Sequence, residues 1–86
     1  MNAAAVKRRT QAERRAASIG RILDATITVL DERGYAKTST AEICKRAEIS
    51  QGGLFRHFAS RLDVIVSATE EVGKRHIERF ENVLQS

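Results

Sequence analysis

The chain has 86 residues and a formal net charge of +4, which is enough length for one small domain with a modest hydrophobic core. It contains no stretch long and apolar enough to span a membrane, and no signal-peptide apolar region follows its basic N-terminus. Cys44 is the single cysteine, which excludes a disulfide framework or a thiolate zinc cluster within one chain and favours a reducing, cytoplasmic location.

The positive charge is concentrated at the N-terminal end. Residues 1–21 carry six basic side chains against one glutamate, a net charge of +5, whereas the other 65 residues carry nine basic and ten acidic side chains. An asymmetric basic end suggests a polyanionic partner, and a solvated disordered tail is the alternative. We predict that residues 1–10, which include Lys7, Arg8 and Arg9, form a flexible basic arm.

A first helix is predicted over residues 11–33. Thr10 is a candidate N-cap, and Gly34 can adopt the left-handed conformation that ends a helix. Gly20 costs about 1 kcal/mol relative to alanine, so frayed first turns are an alternative. The apolar positions recur at three- and four-residue steps on one helical face, at Ile19, Ile22, Leu23, Thr26, Ile27 and Leu30.

Serine residues open the helices that follow. Ser39 lies three residues before Glu42, the spacing of a capping box, in which each side chain bonds the other residue's backbone N–H. After a break at residues 48–49, Ser50 caps a short third helix that ends near Phe58. Ser60 then caps a fourth helix, which its apolar pattern extends to about residue 84.

The second and third helices have the layout of a helix-turn-helix, in which one helix braces the DNA backbone and the next enters the major groove. Leu54 and Phe58 are four residues apart and share the inner face of the third helix. We predict that they pack on Ile22, Ile43 and Leu62. The outward positions are Gln51, Gly52, Phe55 and the flanks of Arg56 and His57.

The paired glycines Gly52 and Gly53 are unusual in so short a helix, because together they cost about 2 kcal/mol of helix propensity relative to alanine. Bare backbone that lets the helix approach DNA closely would explain them. A loop with a frayed turn is the alternative explanation.

Several motifs follow one another in a single register. They are Gly34-Tyr35 at the end of the first helix, Thr38-Ser39 before the second, the runs 43–50 (ICKRAEIS) and 51–58 (QGGLFRHF), and Ser60-Arg61. In this order they resemble the DNA-binding domain of the tetracycline-repressor (TetR) family, over roughly residues 21–69. Three positions depart from the family pattern: Glu48 replaces a turn glycine, Gly53 a small side chain that is often threonine, and Phe55 a tyrosine.

The resemblance implies an all-α fold, a homeodomain-like three-helix bundle with a helix-turn-helix and the start of a long fourth linker helix. Residues 11–60 would form the DNA-binding domain, and residues 61–86 would lead to an absent C-terminal domain for dimerisation and ligand binding. The partners it implies are double-stranded DNA with a pseudo-palindromic operator and a second copy of the protein.

The resemblance also implies roles for particular residues. Gln51, Gly52, Gly53 and Phe55, which follow the capping Ser50, would face bases. The residues that would hold phosphates are Thr40, Arg56, His57 and Arg61, and the arm residues Lys7, Arg8 and Arg9 would reach an adjacent minor groove.

Two hypotheses of function remain from these observations. The first is a TetR-type repressor released by a small molecule, and the second is a helical protein–protein interaction module that keeps the fold without operator reading. We predict no enzyme, metal or cofactor, because no nucleophile–base pair, metal-ligand spacing or phosphate-binding glycine loop is present. Cys44 is interpreted as a core residue and His76 as packing or partner-facing. The acidic residues predicted to form a solvated exterior are Asp24, Asp31, Glu32, Glu70, Glu71, Glu78 and Glu81.

Overall fold

The computed structural model describes residues 10–85, in which four α-helices and one short 3-10 turn are present and no strand occurs. The helices are α1 (Gln11–Arg33), α2 (Thr40–Ala47), α3 (Gln51–His57) and α4 (Arg61–Gln85). The 3-10 turn, Tyr35–Lys37, connects α1 to α2. This all-α architecture confirms the fold class predicted from the sequence.

Both ends of α1 are closed by local hydrogen bonds. The Thr10 hydroxyl accepts from the Glu13 backbone N–H at 3.0 Å, and the Glu13 carboxylate accepts from the Thr10 N–H at 2.7 Å. This complete capping box caps the first turn of the helix, which begins at Gln11. Gly34 ends the helix with a positive φ of 81°, but its ψ of 170° lies outside the left-handed helical region that the sequence predicted.

The core is formed where α1, α2 and α3 meet the first turns of α4. Leu54 is fully buried and Phe58 nearly so, in one cluster with Ile22, Ile43 and Val64, which confirms the predicted register of α3. Contacts of this cluster hold the short α3 in place, because seven residues alone would not form a stable helix in water.

The prediction that Leu62 joins this core is wrong. Its side chain is 58% exposed. The buried face of α4 is made by Val64, Ile65 and Ala68, and helical geometry turns position 62 away from that face.

The capping box predicted at the start of α2 is only half formed. The Ser39 hydroxyl accepts from the Glu42 N–H at 3.1 Å, as predicted. The Glu42 carboxylate does not accept a hydrogen bond from the Ser39 N–H, because it pairs with Arg46 at 3.3 Å and with Arg33 at 3.7 Å. The α2 start is therefore held by one capping bond and by ion pairs that reach α1.

Three of the acidic residues predicted as a solvated exterior instead take part in ion pairs. Arg75 on α4 bonds Asp24 on α1 and also Glu71 at 3.0 Å. Near the C-terminal end of α1, Glu32 pairs with Arg46 of α2 at 2.6 Å, which lowers the pKa of the Glu32 carboxyl. These pairs are exposed and contribute little stability each, but they tie α1 to both α2 and α4.

Candidate nucleic-acid interface

The turn between α2 and α3 is built without glycine. Glu48 adopts the left-handed conformation, with φ 56° and ψ 49°, and the following Ile49 N–H bonds the Cys44 carbonyl at 3.0 Å. A residue with a side chain pays about 1–2 kcal/mol for this conformation. The turn keeps its geometry at that cost, so the departure at Glu48 leaves the helix-turn-helix intact.

Ser50 fixes the start of α3. Its hydroxyl accepts from the Gly53 N–H at 2.9 Å, as the N-cap prediction required. The hydroxyl is therefore engaged in capping, although the residue is exposed beside the outer face of α3. Whether Ser50 also contacts DNA, as the resemblance implies, stays a prediction.

The two glycines of α3 have different surroundings. A Cβ atom on Gly53 would lie 2.7 Å from Cγ1 and 3.0 Å from Cδ1 of Ile49, closer than side-chain packing allows. A Cβ atom on Gly52 would meet nothing nearer than the Ser50 hydroxyl at 3.9 Å. Gly53 is thus required by packing within the turn, whereas the explanation by close approach to DNA applies to Gly52, which is exposed.

The outer face of α3 offers hydrogen-bonding and apolar groups next to each other. Gln51 and Arg56 are exposed, and the Phe55 ring is 46% exposed. A glutamine can bond two atoms of an adenine edge in the major groove, and an aromatic ring can contact a thymine methyl group. Because Phe55 lacks the hydroxyl of tyrosine, it cannot donate a hydrogen bond to a phosphate.

His57 lies at the end of α3 with part of its ring inside the protein. Its Nδ1 atom is buried and has no hydrogen-bond partner. Burial lowers the pKa of His57, and the positive charges of Arg15 and Arg56 lower this pKa further. The ring is therefore held towards its neutral form, in which one nitrogen donates and the other accepts a hydrogen bond.

Arg61 has an intramolecular task that the sequence did not reveal. Its Nε donates to the Thr38 carbonyl at 2.7 Å, a second guanidinium nitrogen donates to the Tyr35 carbonyl, and the group lies 4.6 Å from the centre of the Tyr35 ring. The Thr38 hydroxyl in turn bonds the Gly34 carbonyl at 2.7 Å. Arg61 thus anchors the connection between α1 and α2, and its phosphate contact stays a prediction.

The remaining residues predicted to contact DNA are Thr40 and the arm residues Lys7, Arg8 and Arg9. Thr40 is half-buried in the first turn of α2. The arm residues Lys7, Arg8 and Arg9 lie outside the described residues, so their minor-groove role also stays a prediction. Cys44 is buried, which raises the pKa of its thiol and agrees with its interpretation as a core residue.

Within residues 10–85 no group of three or more metal-ligating side chains occurs. None of the helices in the same range is both long and apolar enough to cross a membrane.

A capped α2, a tight turn and a short α3 with an exposed polar face define a helix-turn-helix protein of the DNA-reading class. Comparison with known proteins leads to one family, because the profile described as "Bacterial regulatory proteins, tetR family" matches residues 22–68. The match covers more than half of the sequence, and the chain therefore belongs to the TetR family of DNA-binding transcriptional regulators.

Individual relatives agree with this assignment. The chain is 44% identical to an uncharacterized HTH-type transcriptional regulator of Mycobacterium tuberculosis, over 84% of this chain and 37% of the relative. It is 36% identical to the HTH-type transcriptional regulator CymR of Pseudomonas putida, over 85% of this chain and 36% of the relative. It is also 38% identical to the HTH-type transcriptional repressor KstR of Mycolicibacterium smegmatis, over 56% and 24% of the two chains.

The chain spans little more than a third of the length of the first two of these relatives. No solved structure matches it significantly.

Proposed function

We propose that this chain contains the DNA-reading domain of a TetR-type repressor, formed by residues 11–60. The observation that carries the proposal is the outer face of α3, where Gln51, Gly52 and Phe55 are exposed on a helix whose other face is locked into the core by Leu54. A recognition helix needs this combination, since base readout requires side chains held rigidly at the groove.

Each group on this face has a distinct task in the proposal. Gln51 reads an adenine edge, and Gly52 brings the backbone close to the groove floor. Arg56, His57 and Thr40 hold phosphates, which sets the position of α3 but carries no sequence information. Arg61 contributes indirectly by fixing the connection that leads into α2.

The proposed regulator is longer than this chain, and a small molecule controls its binding to DNA. Residues 61–86 would link the DNA-reading domain to a C-terminal domain that dimerises and binds a small molecule, whose binding releases a pseudo-palindromic operator. The relatives are longer than this chain, and one of them is named as a repressor. The cytoplasm is the expected location of such a regulator, and no catalytic activity is expected.

A protein–protein interaction module is the second candidate. The observation in its favour is that α3 has lost two groups suited to DNA contact, since Gly53 is tied to packing and Phe55 has no hydroxyl. The cationic and amide groups of the same helix oppose it, because Gln51, Arg56 and His57 suit a nucleic acid better than an apolar partner surface.

Base readout by Gln51 is tested by selecting preferred duplexes from a random pool and measuring affinities of the selected duplex and its single-base variants. Gln51→Ala should reduce the discrimination at one base pair by about 1–3 kcal/mol. Gln85→Ala, which removes the same side chain far from α3, serves as the control and should change nothing. Equal preferences of the two variants at every position would contradict readout by Gln51.

A further inference from the structure

A cleft of about 460 Å³ lies between the first turns of α1 and the last turn of α3. Arg14, Arg15 and Ser18 line it from α1, and Arg56 and His57 line it from α3. It is large enough for a tetrahedral oxyanion together with ordered water.

The cleft is strongly cationic. Three arginines line it, and no carboxylate does so among the described residues. Arg15 and Arg56 form no ion pair within residues 10–85, in contrast to Arg46 and Arg75, each of which contacts two carboxylates. Clustered guanidinium groups repel one another, and an anion between them removes that repulsion.

His57 lines the cleft at the end of α3, and burial together with the positive charges of Arg15 and Arg56 lowers the pKa of its ring. Its Nδ1 is buried without a partner, so this nitrogen is not available to a ligand in the cleft. A neutral ring that is unprotonated at the inner nitrogen carries its proton on Nε2, which can donate a hydrogen bond.

We propose that this cleft holds one backbone phosphate of the bound DNA duplex, with Arg15 and Arg56 supplying charge and His57 a hydrogen-bond donor. The inference rests on the proposed DNA-reading function. The phosphate comes from DNA and not from a free anion, because the cleft adjoins the same helix whose outer face is presented to the groove. Basic residues at the C-terminal end of a helix are favoured in any protein, but this accounts only for Arg56 and His57 and not for the arginines of α1.

The site also makes α1 part of the DNA contact. A phosphate held by Arg15 and Arg56 at once would bridge α1 and α3, so it would fix the angle at which α3 enters the groove. Its negative charge would offset the repulsion on His57, so the pKa of that ring would be higher in the complex than in the free protein.

The test compares Arg15→Gln with Lys74→Gln in the 86-residue chain. Lys74 lies on the exposed part of α4, so both variants lose one positive charge but only the first alters the cleft. Affinity for a mixed-sequence duplex is measured by fluorescence anisotropy at several salt concentrations, and the His57 ring is titrated by NMR with and without duplex. A third titration uses inorganic phosphate alone.

Arg15→Gln should reduce the magnitude of the slope of log K against log salt by up to about 0.9, the value for one phosphate contact, while Lys74→Gln leaves the slope unchanged. Duplex should raise the pKa of His57 in the unaltered chain and raise it less in Arg15→Gln. Equal slopes for the two variants, or a response of His57 to inorganic phosphate without any response to duplex, would overturn the proposal while DNA binding itself stands. Absence of duplex binding by the unaltered chain would overturn the proposed function as well.

Discussion

The side chain of Ile49 occupies the space beside Gly53, and this contact decides how α3 can begin. A Cβ atom at position 53 would force the Ile49 side chain to move. The absence of a side chain at Gly53, where the family pattern has a small one, therefore suits the position of Ile49. It removes a candidate base contact and leaves Gly52 as the glycine whose bare backbone faces outward.

Alanine substitutions at the two glycines should have opposite effects on the free energy of unfolding. Gly53→Ala gains about 1 kcal/mol of helix propensity but pays about 1–3 kcal/mol for overpacking against Ile49, so it should destabilise the protein. Gly52→Ala meets no neighbour and should stabilise it by up to about 1 kcal/mol. Urea unfolding of both variants checks this, and shifts of the same sign and size would contradict the packing account.

The same contact predicts coupling between the two positions. Ile49→Ala removes the two nearest of the three atoms that crowd position 53 and leaves the Ser50 hydroxyl at 3.2 Å, although it costs stability of its own. In that background Gly53→Ala should lose its destabilising effect, which a double-mutant cycle measures directly. Additive effects would mean that Gly53 is required for another reason.

At the scale of the elements, the capping residues explain why the helices start where they do. Thr10, Ser39, Ser50 and Ser60 each accept a bond from the backbone N–H three residues later. Capping alone does not hold α3 in place. Its seven residues are anchored mainly by the buried side chains of Leu54 and the neighbouring Phe58.

Leu54→Ala should therefore cost about 2–5 kcal/mol of unfolding free energy, because it leaves a cavity at the centre of the core. Leu62→Ala is the matched control, since the same truncation at a largely exposed position should change stability by less than about 0.5 kcal/mol. Denaturant unfolding measures both. Similar losses in the two variants would show that the buried face of α3 or of α4 is assigned incorrectly.

The bounds of the helices and the inner face of α3 could be predicted from the sequence because they depend on local rules of capping and periodicity. The contacts that could not be predicted join residues far apart in the chain. Arg61 bonds the carbonyls of Thr38 and Tyr35, and Arg15 lies beside His57. Neither pair has a spacing that a helical pattern would reveal.

Two predictions from the sequence are wrong for a similar reason. The apolar character of Leu62 predicts a core position, whereas the direction of α4 turns this side chain outward. The spacing of Ser39 and Glu42 predicts a complete capping box, but two arginines compete for the Glu42 carboxylate in the folded structure. The positions of such partners depend on how the helices pack.

At the scale of the whole molecule, α4 extends well beyond the core. From Gly73 to Gln85 every residue is exposed, and the apolar side chains of this part include Ile77, Phe80 and Leu84, whose exposed fractions range from 62% to 80%. These three recur at three- and four-residue steps on one face. A face of this kind is typical of a helix that packs on another element.

We predict that this face drives weak self-association of the 86-residue chain. Sedimentation equilibrium should show a mass that rises with concentration, and Phe80→Ser should reduce the association because it removes the largest exposed ring. Val66→Ser, at an exposed apolar position nearer the core end of α4, is the control. A strictly monomeric chain at all concentrations would contradict the prediction.

The central claim, that this helix-turn-helix binds duplex DNA, is tested most directly by a salt titration of the unaltered chain. Affinity for a mixed-sequence duplex should fall linearly on a plot of log K against log salt, with a slope of about −0.9 for each phosphate contact. The single phosphate shared by Arg15, Arg56 and His57 should contribute about −0.9 to this slope, and each further phosphate contact should add the same amount. No measurable binding at low salt, or binding that does not respond to salt, would contradict the account and favour the interaction module.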